Sequence, residues 1–215
     1  MLRPSFVTVI AVALSLMGAS RTRASLITNG DFETGDLTGW SFSGNVGVGS
    51  VTGFHVNAAG VGTFPTGQYA ADFGGADLPD TGILSQNIVT VAGVQYTLTF
   101  DYGKFETGSA TQAIAVSATN RGDNDSLLLQ TISDSSGTAD LSTVFSPYSF
   151  SFVATGLQTD IQFSDVSAGT METDGLLDNV AVIAVPEPSS LVLLGASGLF
   201  MLRRQRRKLA LVSIQ

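Results

Sequence analysis

The sequence of 215 residues contains no cysteine and a single histidine, His55. Without cysteine no disulfide can hold the fold together, so its stability must come from apolar burial, with a bound metal ion as a further source. His55 lies in a glycine-rich stretch, no cysteine is available as a further zinc ligand, and no Gly-x-Ser-x-Gly nucleophile motif is present, so the sequence favours neither a zinc site nor a Ser-His-Asp triad. The sequence therefore predicts a protein that is not an enzyme.

Basic residues are scarce in the central part of the chain. Of ten lysines and arginines only Lys104 and Arg121 lie between residues 25 and 185, together with 17 of the 18 acidic residues. This part has a formal charge of −15, which disfavours contact with nucleic acid and with anionic lipid. Its 161 residues are enough for one domain.

A long apolar run is also missing, but the N-terminus carries a shorter one. Arg3 precedes an apolar stretch at residues 6–19, and small residues follow it. This order is typical of a secretory signal peptide. We predict that residues 1–24 are this signal, cleaved after Ala24 with Thr22 at position −3, or alternatively after Ser20. The protein is therefore expected to be exported.

The C-terminus combines three unlike features. Val185-Pro186-Glu187-Pro188 is followed by an apolar run at residues 191–202 and then by a basic cluster, Arg203-Arg204-Gln205-Arg206-Arg207-Lys208. The two prolines restrict φ and keep the backbone of residues 186–188 extended. The apolar run predicts a helix of ~18 Å, short for a hydrocarbon core of ~30 Å, so its membrane insertion is marginal. The alternative is a buried core helix, but the run has no polar face and the cations beyond it favour a stop at the cytoplasmic side.

In this order the features of residues 186–208 resemble the PEP-CTERM sorting signal of bacterial exported proteins. The resemblance implies an exosortase as partner, which recognises and cleaves the signal in the inner membrane. It also implies a final place at the cell surface or in the extracellular matrix. Residues 209–215 add an apolar tail that such signals usually lack, so a permanently tail-anchored surface protein is the alternative.

Between the two ends, apolar residues alternate with polar ones in short segments bounded by Gly, Asn, Asp, Pro or Ser. Residues 96–102 are the clearest case, since Tyr96, Leu98, Phe100 and Tyr102 alternate with Thr, Thr and Asp. The same period is found at residues 83–89, 111–118, 127–132, 148–152, 161–163 and 176–184. Period two without an amphipathic helix predicts nine or ten antiparallel strands in an all-β sandwich over residues 25–185. Residues 44–62 are rich in glycine and are predicted to form a surface excursion.

The two ends of this domain carry a second resemblance. Asn29-Gly30-Asp31-Phe32-Glu33 with Gly39-Trp40, and later Asp174-Gly175-Leu176-Leu177-Asp178-Asn179-Val180, resemble galactose-binding-like jelly rolls, which include carbohydrate-binding modules. The resemblance implies the fold, a structural Ca²⁺ where the first and last strands meet, and Glu33 and Asp178 as its carboxylate ligands. Oxygen-rich coordination suits calcium, and a cation would offset the acidic charge. The alternative is that both carboxylates bond turn amides.

Three further motifs have ordinary explanations. Trp40, the only tryptophan, is expected to fill the core, and the weaker alternative is an exposed platform on which a sugar stacks. Arg121-Gly122-Asp123 is expected to lie in a solvated hairpin turn. The glycine-rich residues 44–49 have neither the spacing nor the lysine of a phosphate-binding loop.

Together these features predict an exported, non-enzymatic β-sandwich that a PEP-CTERM signal sorts to the cell surface or the polysaccharide matrix. The alternative is a dedicated carbohydrate-binding module, which would need exposed aromatic rings along a groove.

Overall fold

The structure, a computed structural model, describes residues 24–50, 67–75, 81–105, 111–135, 144–168 and 173–186. The chain divides into two units, Arg23–Val185 and a second made of Met1–Thr22 with Pro186–Gln215. The signal segment and the apolar run at 191–202 lie outside the described residues. Within the described residues, no helix is long and apolar enough to cross a membrane.

The first unit is built of strands. In chain order they are β1 (Ser41–Ser43), β2 (Val46–Ser50), β3 (Tyr69–Phe73), β4 (Ile83–Val89), β5 (Gln95–Phe105), β6 (Gln112–Asn120), β7 (Ser126–Asp134), β8 (Val144–Val153), β9 (Gln158–Asp165) and β10 (Asp174–Ala184). No α-helix occurs in the described ranges.

The strands form two five-stranded sheets, here called sheets A and B. Sheet A has the order β1-β4-β9-β6-β7, and sheet B has the order β2-β3-β10-β5-β8. Every pair is antiparallel. The predicted all-β sandwich is confirmed, and the ten strands found among the described residues agree with the predicted number.

The alternating side chains meet between the sheets. On β5 the apolar positions of residues 96–102 are all buried, as the period-two pattern predicts. Phe100 packs edge-on against Phe163 of the facing sheet, with ring centroids 5.2 Å apart. It also stacks on Tyr148 of the neighbouring strand at 5.5 Å. Because the domain has no disulfides, burial of apolar side chains and aromatic contacts of this kind must stabilise the packing of the two sheets.

The last strand changes its neighbour along its length. Its first half pairs with β3, up to Leu177. A β-bulge follows, after which Val180 N donates to Gly30 O at 2.8 Å. Gly30 is required there because a Cβ at this position would lie 2.0 Å from Val180 O. The Asn-Gly-Asp-Phe-Glu and Asp-Asn-Val motifs therefore meet at one junction of sheet B.

The prediction for residues 44–62 is wrong in part. Val46–Ser50 is strand β2, which pairs with β3 along its full length. An alternation of valine and glycine indicates a loop, because glycine is unfavourable in strands. Here it is tolerated at the edge of sheet B. The remaining residues, 51–62, lie outside the described ones.

Candidate functional site

Trp40 lies in the core. Its side chain is only 7% exposed, and its ring stacks on Phe32 with centroids 5.7 Å apart. The indole N–H donates to Asn29 O at 2.9 Å. A sugar therefore has no access to this ring, and the alternative of a stacking platform is set aside.

Glu33 and Asp178 lie on the two sides of the junction in sheet B. Glu33 Oε1 accepts hydrogen bonds from the amides of Gln68 at 2.7 Å and Tyr69 at 2.9 Å. Its carboxylate occupies the space that a Cβ of Gly67 would fill. Asp178 is fully buried, and its Oδ1 accepts from Asn179 N at 2.6 Å. Both carboxylates thus bond backbone amides, as the alternative to calcium expects.

Asp178 also lies next to a surface depression on the outer face of sheet B. The depression has a cavity volume of about 400 Å³ and is lined by residues of β5, β8 and β10: Thr99, Phe100, Asp101, Pro147, Tyr148, Ser149 and Asn179. On the outer face it presents one carboxylate, one amide, two hydroxyls and a proline ring. These groups match the alternating hydroxyls and C–H faces of a sugar.

A backbone irregularity sets the geometry of this depression. Asn179 has a positive φ of 52°, a conformation that asparagine tolerates better than most residues, within the bulge of β10. Its Nδ2 donates to Asp101 Oδ2 at 2.8 Å. The amide and the carboxylate are thereby held together and can bind neighbouring hydroxyls as a unit.

Sequence reasoning missed Asp101 and Asn179 as a pair. Asp101 was recognisable only as an outward-facing position of a strand, and Asn179 only as part of a fold motif. The two are separated by 78 residues in sequence, and only the register of β5 with β10 brings them together. The one signal in the sequence is an asparagine directly before the last strand's apolar alternation.

The outer face of sheet A carries a row of polar side chains that ends at the exposed Leu129 of β7. Ser85, Gln162 and Ser117 lie side by side across β4, β9 and β6. An Asn87–Asp160 pair, with 2.8 Å between Nδ2 and Oδ1, lies on the same face. Among the described aromatic residues only Phe42 is mainly exposed, at 60%. The described surface thus lacks the aromatic groove that a dedicated carbohydrate-binding module needs.

The charges of the domain are unevenly buried. Lys104, one of its two basic residues, is fully buried, which leaves the surface still more acidic. Asp72 on β3 faces outward beside Leu176 of β10. Burial, and then the nearby charge of Asp174, raises the pKa of Asp72 to about 7. Within the described residues, no three acidic, histidine or cysteine side chains converge as a metal cluster.

Only part of the sorting segment is described. Val185 N donates to Gln95 O at 2.8 Å, which holds the chain on sheet B up to the sorting motif. Pro186 follows directly and is the last described residue. Glu187, Pro188 and the basic cluster lie outside the described residues.

Comparison with known families covers both parts of the chain. Residues 25–183 match the family described as protein of unknown function DUF642. The chain belongs to the DUF642 family. Residues 184–208 match the PEP-CTERM protein-sorting motif. The second match confirms the C-terminal signal and indicates a protein that is exported and sorted through the membrane.

Solved structures place this DUF642 domain among jelly rolls. TmCBM61, solved in complex with β-1,4-galactotriose, is 21% identical with a TM-score of 0.50, and the match covers 76% of this chain and all of that one. The CBM22-1–CBM22-2 tandem of Paenibacillus barcinonensis Xyn10C is 14% identical with a TM-score of 0.52, over 78% of this chain and 51% of that one. No curated protein matches the chain. These likenesses confirm the carbohydrate-binding-module-like fold.

Proposed function

We propose that this protein is a non-enzymatic cargo of the PEP-CTERM pathway that becomes cell-surface or matrix material and contacts polysaccharide weakly. The observation that carries the proposal is the direct continuity between fold and signal. The last strand ends at Ala184, where the sorting motif begins. The sandwich and its sorting signal are thus adjacent in sequence, with no linker between them, so the domain is transported as one unit.

Processing at the sorting signal is the first prediction. We expect the mature protein from its native host to end near Pro188, because an exosortase cleaves at the Pro-Glu-Pro step. Mass spectrometry of the surface fraction should find no peptide beyond Arg203. A Pro186→Ala/Pro188→Ala variant should keep these peptides, while Ser190→Ala should not. Peptides from residues 209–215 in the mature wild-type protein would instead establish the permanently tail-anchored form.

The depression on sheet B is the proposed contact for polysaccharide. The Asp101–Asn179 pair offers acceptors and a donor to vicinal hydroxyls, and Pro147 offers an apolar surface to a C–H face. The two aromatic residues that line the depression, Phe100 and Tyr148, stack on each other and do not form an exposed platform, so affinity should be low. We expect a Kd of the order of 1 mM per sugar site, made useful by many copies on one polymer.

Binding to a polysaccharide array tests this contact. Asp101→Ala should weaken binding about tenfold, a loss of ~1.4 kcal/mol. Asn179→Gly should do the same while keeping the positive φ of the bulge. Asp160→Ala is the matched control, since it breaks an Asp–Asn pair on the other sheet. Equal binding by all variants would refute this site, and no binding by the wild type to any polymer would leave the protein as inert cargo.

Calcium at the junction is a separate proposal. Glu33 and Asp178 supply two carboxylates where the first motif meets the last strand, and backbone carbonyls can complete the shell. At a Ca²⁺ concentration about 100 times the Kd, we expect binding to raise the free energy of unfolding by about 2.7 kcal/mol. For a domain of this size the Tm of the full-length protein in mild detergent should then fall by roughly 5–10 °C in chelator.

Two variants distinguish calcium binding by Glu33 from its hydrogen bonds to backbone amides. Glu33→Gln keeps an acceptor oxygen for the amides of Gln68 and Tyr69 but loses the charge that calcium needs. It should abolish the calcium-dependent part of the Tm while lowering the chelated Tm little. Asp36→Asn, an exposed acid nearby, should leave the calcium response intact. A wild-type midpoint that chelator does not change would remove the proposal.

A further inference from the structure

Four branched aliphatic side chains are exposed at one end of the sandwich. Val89, Val91, Val153 and Leu157 are 72%, 57%, 51% and 73% exposed. Val89 and Val153 end strands β4 and β8, and Val91 and Leu157 lie in the turns that follow these strands. We call these four residues the apolar end. Side chains of this kind are normally exposed singly, and a group of them marks an interaction surface.

Backbone hydrogen bonds join the two turns into one surface. Thr90 N donates to Leu157 O at 2.9 Å, and Gly93 N donates to Ala154 O at 2.7 Å. In addition, Thr90 Oγ1 donates to Gly156 O at 3.1 Å. The four aliphatic side chains are therefore held in fixed relation and do not project from independent loops.

Both termini of the domain reach this same end. Val185 N donates to Gln95 O, and Gln95 is the cross-strand neighbour of Val153. Leu26 N donates to Val182 O at 2.9 Å, and the segment runs antiparallel to β10, so Ala24 points to the end at which Val185 leaves. The predicted signal peptide and the sorting motif thus attach beside the apolar end.

The charge distribution singles out this end. Residues 24–30, 88–95, 153–158 and 182–186 contain no ionisable side chain, although the domain carries a charge of −15. The charged β6–β7 turn lies beside this end, where Arg121 N donates to Gln158 O at 3.2 Å and the Arg121 guanidinium lies 3.9 Å from Asp160 Oδ1. Arg121 is 57% exposed, and the acids of this turn are Asp123 and Asp125. The acidic surface that repels a membrane is thus interrupted where the chain is directed to one.

We propose that the apolar end docks on the lipid bilayer while the chain still carries its C-terminal apolar segment. From Pro186 to Leu191, where that segment begins, five peptide steps span at most about 17 Å. A bilayer that holds Leu191 is therefore within reach of the end from which the chain emerges. Val89, Val91, Val153 and Leu157 would enter the interface between headgroups and acyl chains, as apolar faces of peripheral proteins do.

This inference goes beyond the sorting proposal, which concerns the C-terminal segment alone. Docking would hold the Pro-Glu-Pro step at the membrane surface, where a membrane-embedded enzyme can reach it. Four aliphatic side chains without a tether bind a bilayer only weakly and reversibly. Cleavage would therefore release the domain, and the same surface could serve the precursor without trapping the product.

Site-specific labelling of the full chain tests the docking. Because the protein has no cysteine, single-cysteine variants Leu157→Cys, Thr111→Cys and Leu199→Cys can each carry an environment-sensitive fluorophore. Thr111 lies at the opposite end of β6 from the apolar end, and Leu199 reports insertion of the apolar segment. The labelled chains are reconstituted in phosphatidylcholine vesicles that contain a nitroxide-labelled lipid as quencher.

The label at position 157 should shift to the blue and lose most of its intensity to the quencher, as the label at 199 does, while the label at 111 should change little. Quenching at 199 without quenching at 157 would overturn the docking and leave the sorting proposal intact. Quenching at neither position would overturn both. A blue shift at 157 that grows with protein concentration in the absence of lipid would mean that a second copy covers the surface, and would also overturn the docking.

A double variant adds an independent check. Val91→Ser/Val153→Ser should abolish quenching at 157 and leave it unchanged at 199. Leu129→Ser is the matched control, because Leu129 is 66% exposed but lies on β7, away from the apolar end. Loss of quenching at 157 in the control variant, or its persistence in the double variant, would contradict the assignment.

Discussion

Replacing Trp40 with alanine is expected to lower the free energy of unfolding by about 3–5 kcal/mol. The side chain is almost fully buried and packs between Phe32 and Phe163, with ring centroids 5.7 Å and 6.4 Å away. Its removal leaves a cavity between the loop that carries Phe32 and strand β9, which carries Phe163. Since single domains are stable by only ~5–15 kcal/mol, a large share of the total would be lost. Equilibrium unfolding in urea measures this change in the free energy of unfolding.

A more conservative change separates packing from hydrogen bonding. Trp40→Phe keeps much of the ring contact but leaves Asn29 O without the indole N–H that it accepts at 2.9 Å. This variant should cost about 1–3 kcal/mol. Phe42→Ala, at a ring that is 60% exposed, should change stability by less than ~0.5 kcal/mol. If Trp40→Ala were as mild as Phe42→Ala, the indole would have to be accessible and its role in sugar stacking would need to be considered again.

The fold could be predicted where side chains alternate, and not elsewhere. The strand pattern of residues 96–102 identified the centre of β5 because its two faces meet different environments. Strand β3 has no such pattern, since Ala70 and Ala71 are both fully buried, one on each face. Leu176 of β10 covers Ala70 on the outer side. A strand that is buried on both faces shows no alternation of apolar and polar residues. With only five residues, β3 offers no other pattern that identifies a strand.

The candidate site was harder to predict than the fold because it depends on long-range register. The motifs around Glu33 and Asp178 were predicted to lie close together, and the hydrogen bond from Val180 N to Gly30 O joins them, although the first motif precedes β1 and is not itself a strand. The Asp101–Asn179 depression needs the bulge of β10, which no local pattern specifies. The apolar end likewise consists of single exposed aliphatic residues whose proximity follows from the hydrogen bonds between two turns. Topology, and not composition, creates both surfaces.

Asp72 gives the second large expected effect, a dependence of stability on pH. Its pKa is raised from 3.8 to about 7, first by burial and then by the neighbouring Asp174. The folded state therefore holds a proton that the unfolded state releases between these two values. Stability contributed by this group must fall as pH rises from about 4 to about 7, and stay level above that. The shift of about three pKa units corresponds to a cost on the order of 4 kcal/mol at most.

Asp72→Asn should remove this cost, because the amide mimics the protonated acid. The difference in unfolding free energy between variant and wild type should be small near pH 4, grow in favour of the variant up to pH 7 and level off beyond it. Urea unfolding in the presence of chelator measures the difference, so that no cation on the Asp72–Asp174 pair neutralises the charge. Asp125→Asn, in an exposed turn, controls for the overall change of net charge. A difference that stays constant from pH 4 to pH 8 would show that Asp72 ionises normally, and that water reaches its carboxylate in the folded protein.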